Sequence, residues 1–379
     1  MDPRPPSLIA WSIMPHAVAL VPGFLGFGGH DGPSYFPDRF VVALGALIER
    51  VCGQIPIIVP LPTSPIGNLA ERQRQVLRNL RNFESRRGET QWHLVGHSAG
   101  GIDAALLLRT HQLTFAPDTG TVFSTRALTE GLVSRILSVT TIAAPFYGTT
   151  LARAPFGRFM SGGGIDVPGL LSFVEAVVAV TQPDAFWSRL AFAVGAITEG
   201  RPDRFLTHLL LDNELAHDLD PDTVSALTET RNRRDVPLFS IATIAPPPDA
   251  GSRDQLFRAL WTWTHDAADH ALPRPPTFPD APPLLRSNNV LPTIDAGSND
   301  GLVNTDRQVD GQLAGLVVAD HGDVIGRYRR NDPVDGRVLD PGLMTSEAAF
   351  GDAEFIAFLA CIAERIGGAI TQATSRGIG

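Results

Sequence analysis

The feature that most constrains this chain is a serine bracketed by glycines. Gly96-His97-Ser98-Ala99-Gly100 reads G-x-S-x-G. Before it, Gln91 to Val95 ends in an apolar run suited to a buried strand. After it, Ile102 to Arg109 is rich in helix formers. A backbone that passes from strand to helix in so few residues has to turn sharply. The serine then takes an unfavourable φ, and the residues two places to either side must be nearly free of side chain to avoid collision. Gly96 and Gly100 meet that demand. The turn pushes the Ser98 hydroxyl into open space, and the new helix aims its free N–H groups at whatever lands there. A bare match arises easily in a chain with 36 glycines, where the alternative is an ordinary βα turn. A base and an oxyanion hole elsewhere in the chain decide between the two.

The surroundings of the motif predict an α/β scaffold. Ala17–Val21, Ile55–Val59, the elbow strand, Ile136–Ala143 and Val236–Ile244 are continuous apolar runs. Helical periodicity separates several of them, over Arg39–Val51 and from about Asn68 to Ser85. Apolar rather than alternating strands imply a mostly parallel central sheet covered by helices on both faces. Residues 150–235 break the rhythm. Val167–Val180 and Ala185–Ile197 read as two apolar helices, an inserted helical cap over an acyl pocket or extra core. The expected organisation is therefore a core of 1–149 and 236–379 with a proline-rich excursion at about 246–290, and a cap or lid at 150–235. A helix is expected around Leu256–Ala268, without an assigned role.

Composition excludes several classes. With 44 % hydrophobic and 19 % charged residues the chain has ample core material. Its net charge of −9 gives nothing to attract nucleic acid or an anionic membrane surface. All basic residues are arginine. Cys52 and Cys361 form no disulfide framework. They read as free thiols, with a single bridge open because they fall in the first and last predicted helices. No segment reaches the ~20 apolar residues of a membrane span. Met1 to Ser12 lacks the apolar region of a signal peptide, so the expectation is a soluble protein, cytoplasmic as given or secreted if a leader has been removed.

The catalytic partners follow from chemistry and order. After the Ala17–Val21 strand comes Pro22-Gly23-Phe24-Leu25-Gly26-Phe27-Gly28-Gly29, a loop that lets backbone approach a ligand closely. A serine nucleophile needs a base for its proton, and the imidazole needs a carboxylate to fix its tautomer. Ile294-Asp295-Ala296-Gly297-Ser298-Asn299-Asp300 and Leu316-Val317-Val318-Ala319-Asp320-His321 each run from an apolar stretch into a polar turn. Ser98, Asp300 and His321 fall in the Ser–Asp–His order of an α/β-hydrolase fold, each expected just beyond a strand. Of the ten histidines, His97 cannot reach back to its neighbour's hydroxyl, and His16, His30 and His93 precede the serine. His111, His208, His217, His265 and His270 follow no strand that comes after the Asp300 turn. Asp295 and Asp320 are the alternative acids. The oxyanion hole is assigned to the N–H groups of Phe24 and Ala99.

These residues resemble the true lipases of bacteria, the Pseudomonas and Burkholderia type. Val21-Pro22-Gly23-Phe24-Leu25-Gly26-Phe27 looks like that family's V-H-G-x-x-G-F, with Pro22 where histidine is usual. Gly96 to Gly101 is similar to its G-H-S-Q-G-G, with Ala99 for glutamine, and Thr141 to Thr149 to its T-I-x-x-P-H-x-G-S. Asn299-Asp300-Gly301-Leu302-Val303 equals its N-D-G-L-V, and His321-Gly322-Asp323 resembles its H-x-D. The resemblance leaves out 150–215 and 246–290. It implies the hydrolase fold, the triad and a carboxylic ester hydrolase acting on lipid-like acyl esters. It also brings a structural calcium into view, with Asp323 and Asp280 as ligands. Arg327, where the next ligand is expected, opposes a cation there. The expected partners are a small-molecule or lipid ester and at most a transient lipid interface, with no required cofactor. The cap helices would serve equally as a homo-oligomer surface. Acyltransferase, thioesterase and polyester depolymerase activities would use the same triad, and a non-catalytic lipid-binding protein is the alternative of a different class.

Overall fold

The computed structural model describes residues 14–24, 35–64, 67–109, 131–153, 214–228, 236–249, 254–268, 275, 277–285, 293–340 and 342–375. The predicted cap helices at 167–180 and 185–197 lie outside these residues, as do 25–34 of the glycine-rich loop.

Six parallel strands form one sheet: β1 (His16–Val21), β2 (Ile57–Pro60), β3 (Gln91–His97), β4 (Ile136–Ile142), β5 (Leu238–Ile244) and β6 (Gln312–Val318), in the order β2-β1-β3-β4-β5-β6. Strand β1 shows why these segments carry no alternation in the sequence. Its whole length is buried, with Ala17, Ala19 and Val21 packed in the core of one face and Val18 and Leu20 in the core of the other. Helices α1 (Asp38–Cys52) and α7 (Asp352–Ser375) cover the Val18–Leu20 face. Helices α2 (Leu69–Arg87) and α3 (Ala99–Leu106) cover the opposite face. Helix α7 buries Phe355, Phe358, Leu359, Ile362, Ile366 and Ile370 at three- and four-residue spacing. Each such side chain contributes about 1.5–3 kcal/mol of transfer free energy. Asn68 caps α2 by accepting the Glu71 N–H at 2.8 Å, and Gly53 ends α1 in the left-handed region at φ 71°.

Two short helices, α4 (Glu214–Asp218) and α5 (Pro221–Thr228), precede β5, and α6 (Gln255–Asp266) follows it. A two-stranded ribbon, β7 (Arg330–Asn331) with β8 (Val338–Asp340), leads into α7. Helix α6 gives the proline-rich excursion a structural role. Its Phe257 and Leu260 join Leu151, Ala245 and Met344 in a small core of their own.

The strand order places the site. The chain winds from β1 out to β2, then crosses back so that β3 pairs with the other side of β1. The connections leaving β1 and β3 therefore diverge at their carboxyl ends. Such a reversal opens a crevice there, where α/β sheets bind ligands. Gly23 follows β1 and Ser98 follows β3, one on each side of it.

One expectation needs correction, and one open alternative closes. Residues 293–299 form no strand before Asp300. The acid loop is instead hung from the end of β5, where the Ala245 N–H donates to the Asn299 carbonyl at 3.0 Å. The two cysteines are free thiols. Cys52 packs near Gly367, which lies six residues, about 9 Å, further along α7 than Cys361, so a bridge has no geometry. No helix among the described residues is long and apolar enough to cross a membrane.

Candidate active site

Ser98 sits between β3 and α3 with φ 56° and ψ −134°, a left-handed conformation that a non-glycine residue adopts only where its surroundings enforce it. Those surroundings are visible. The Ser98 N–H donates to the Ile142 carbonyl of β4 at 2.9 Å, and the Ser98 carbonyl accepts from Gly101 at 2.9 Å. A methyl group on Gly96 would overlap the Gly100 carbonyl, and one on Gly100 would overlap the carbonyls of Val21 and Pro22. Both glycines of the motif are thus sterically required, as the sequence predicted. Ala99 is the first residue of α3, where a helix N–H has no intrahelical acceptor.

The candidate base and the candidate acid meet. His321 Nδ1 lies 2.8 Å from Asp300 Oδ2, with both residues buried, and the His321 N–H donates to the Asp300 carbonyl at 2.9 Å. Asp300 Oδ1 accepts the N–H groups of Leu302 (3.0 Å) and Val303 (2.8 Å), which folds the N-D-G-L-V segment into a turn around its own carboxylate. Gly301 takes φ 101° here, packed on Phe257 of α6. His321 reaches the elbow through the neighbour of the serine: the His97 and His321 ring centroids are 4.5 Å apart.

Two further groups fasten the loop after β1. Tyr35 Oη lies 2.6 Å from His97 Nδ1 and takes a hydrogen bond from the Gly23 N–H. Burial, and then the nearby His321, hold the His97 imidazole well below the usual histidine range, so the ring is neutral and shares one hydrogen with Tyr35 across the Nδ1–Oη contact. Gly23 is so close that a Cβ on it would come within 2.5 Å of Ser98 Cβ. On the other side, buried Arg72 donates to the Pro22 carbonyl at 2.6 Å and the Gly23 carbonyl at 3.4 Å, and pairs with Asp103 of α3 at 2.9 Å. The peptide bond is planar and trans, so a Gly23 carbonyl drawn toward Arg72 turns the Phe24 N–H the opposite way. Burial outweighs the arginine at Asp103 and pushes its carboxyl up to about 6.

No family model matches the chain, and no curated protein matches its sequence. Among solved structures it is similar to the Staphylococcus hyicus lipase, at 14 % identity, 95 % of this chain, 97 % of that chain and a TM-score of 0.52. It is also similar to lipase 1 of Pelosinus fermentans, at 17 % identity, 94 % of this chain, 99 % of that chain and a TM-score of 0.50.

This is the α/β-hydrolase fold.

Within the hydrolase fold the alternative acids take other places. Asp295 caps its own turn, accepting from Gly297 and Ser298. Asp320 and Asp323 form a buried pair one turn from His321: Asp320 Oδ1 accepts from Asp323, and Asp323 Oδ2 accepts from Asp320 at 2.9 Å. Burial raises both carboxyls, Asp320 to about 7 with a smaller push from the charge of Asp300, and Asp323 with a push from Asp320. Asp323 is thereby committed to the turn, and Asp280 is exposed. Among the described residues no three His, Cys, Asp or Glu side chains gather to hold a metal ion. Asp323, a ligand of the calcium that the family resemblance implies, has its Oδ2 engaged by the Asp320 N–H. Tyr35, Arg72, Thr243 and Gln308 escaped the sequence reading. Only Arg72 carried a signal, as an arginine on the apolar face of an otherwise well-patterned helix.

Proposed function

We propose that the protein is a serine carboxylic ester hydrolase that cleaves lipid-like acyl esters through an acyl-enzyme. One observation carries this reading: a buried Asp300–His321 pair, 2.8 Å between Oδ2 and Nδ1, stands against a strained elbow that presents Ser98. The fold alone would not suffice, since one fold hosts many activities.

In this mechanism the Ser98 hydroxyl attacks the ester carbonyl carbon while His321 Nε2 takes its proton. Asp300 fixes the imidazole with Nδ1–H toward itself and balances the cation that forms. The carbonyl oxygen becomes an oxyanion held by the N–H groups of Phe24 and Ala99, each worth about 3–4 kcal/mol to the transition state. The tetrahedral species collapses as His321 returns the proton to the departing alkoxide, leaving alcohol and acyl-enzyme. Water then repeats the cycle on the acyl carbon, with His321 again as base, and releases the acid. The sequence needs no cofactor. The lipid-like substrate rests on the motif resemblance to the true lipases and on the apolar segments predicted at 167–197.

Ser98→Ala is expected to abolish hydrolysis of a short nitrophenyl ester and labelling by a fluorophosphonate, with the melting temperature preserved. Residual activity at the wild-type level would remove Ser98 from the mechanism. A wild-type protein that a fluorophosphonate fails to label would overturn the catalytic reading itself. Esters of increasing acyl length give chain preference, and products formed with added alcohol separate hydrolysis from acyl transfer.

A further inference from the structure

We infer that Thr243, locked by Gln308, is a positioning residue that sets the Asp300 carboxylate for its work on His321. The inference rests on the triad reading above. Thr243 stands near the carboxyl end of β5, with no trace of a motif around it. Its hydroxyl lies 2.5 Å from Asp300 Oδ2, the same oxygen that receives His321 Nδ1. Thr243, Gln308 and Asp300 are all fully buried, so no water substitutes for a lost donor.

The direction of every bond follows from counting donors. Gln308 Oε1 accepts the Thr243 N–H at 2.6 Å. That fixes the amide with Nε2 toward three acceptors: the Val303 carbonyl at 3.1 Å, the Thr243 carbonyl at 3.2 Å and Asp300 Oδ2 at 3.4 Å. A flipped amide would set an oxygen against all three. Gln308 Oε1 is also 3.0 Å from the Thr243 hydroxyl, but the hydroxyl has one hydrogen. Were it spent on Gln308, a lone pair of the hydroxyl would face Asp300 Oδ2 at 2.5 Å. It therefore donates to the carboxylate, a charge-assisted bond. Asp300 Oδ1 is already held by two backbone N–H groups of its own turn. Local structure thus fixes one oxygen, and a hydroxyl from a strand 57 residues away fixes the other. What remains for Oδ2 is the direction of His321.

The test compares Thr243→Val, which keeps the shape and loses the donor, with Thr243→Ser, which keeps the donor. Hydrolysis of a nitrophenyl ester is measured per active site titrated with a fluorophosphonate, so misfolded protein does not count. We expect Thr243→Val to lower kcat by about tenfold to a hundredfold with KM within about twofold, and Thr243→Ser to restore most of it. In parallel, the far-downfield proton resonance of His321 Nδ1–H is expected to move or broaden in Thr243→Val and to return in Thr243→Ser. A valine variant with wild-type kcat per titrated site and an unmoved resonance overturns the inference, as does a serine variant impaired as much as valine. The resonance needs no substrate. A wild-type protein that shows it but fails to hydrolyse or label would sink the hydrolase reading and leave the Thr243 inference readable.

Discussion

The amino ends of β1 and β3 hold a polar line inside the sheet: His16 Nδ1 is 3.2 Å from His93 Nε2, and His93 Nδ1 is 2.8 Å from Ser138 Oγ on β4. The rings stack at 5.4 Å between centroids. Burial, and then the proximity of His16, press the His93 imidazole down to about 3. Its folded value lies below the unfolded one, so the native state keeps His93 neutral while the unfolded chain takes up a proton below about pH 6.5. Stability from this group is present at neutral pH and is lost as the pH falls. The slope is about 1.4 kcal/mol per pH unit, so between about pH 6.5 and 4.5 His93 alone withdraws about 3 kcal/mol. That is a large share of the 5–15 kcal/mol typical of a folded domain. His16 and His97 act with the same sign, since burial lowers both. The buried carboxyls of Asp103, Asp320 and Asp323 act with the opposite sign, because their raised values let the native state take up protons first. Whole-protein stability therefore mixes two opposed trends, and a single variant has to isolate one. His93→Gln keeps both hydrogen-bonding neighbours and does not titrate. Urea unfolding of wild type and variant at a series of pH values gives the difference directly. The wild-type advantage is expected to shrink by about 3 kcal/mol from about pH 7 to 4.5. Two parallel stability curves would refute the buried, neutral assignment of His93.

Other perturbations probe the site from different sides. Tyr35→Phe removes the hydroxyl shared by Gly23 and His97, and kcat for a nitrophenyl ester is expected to fall about tenfold with the melting temperature nearly unchanged. Gly23→Ala would bring a methyl within 2.5 Å of Ser98 Cβ and 2.7 Å of Tyr35 Oη. The displaced loop should cost at least about a hundredfold in phosphonate labelling rate, as for loss of one oxyanion donor. Arg72→Met strips Asp103 and two loop carbonyls of their partner, and denaturant unfolding is expected to show a loss of about 3–5 kcal/mol.

How far the sequence reveals this site depends on what each residue is asked to do. Gly96 and Gly100 are legible because the demand on them is local: a strand, a tight turn and a helix within a few residues leave no room for a side chain. The Asp300 turn is legible for the same reason, since Leu302 and Val303 bind the carboxylate that precedes them. The expected strand before Asp300 fails because the loop takes its order from elsewhere. Asn299 is held by the end of β5 and by the Trp261 carbonyl of α6, and no periodicity in 293–299 records such distant supports. Helix α6 was predicted, but its purpose lies in Phe257 against Gly301, a contact across 44 positions.

Thr243 marks the limit more sharply than any of these. In the sequence it is a threonine in an apolar strand, where the residue type is favoured for its branched shape alone. Its hydroxyl acquires a role only because β5 neighbours β6, the Asp300 loop folds back over β5, and the Thr243 N–H engages Gln308 Oε1, the competing acceptor. Three independent placements have to hold before one hydrogen bond means anything. Strain leaves its mark in composition, because only glycine tolerates it. Orientation by a buried hydroxyl leaves none, because threonine, serine and valine all satisfy the strand, and only the first two would hold the carboxylate.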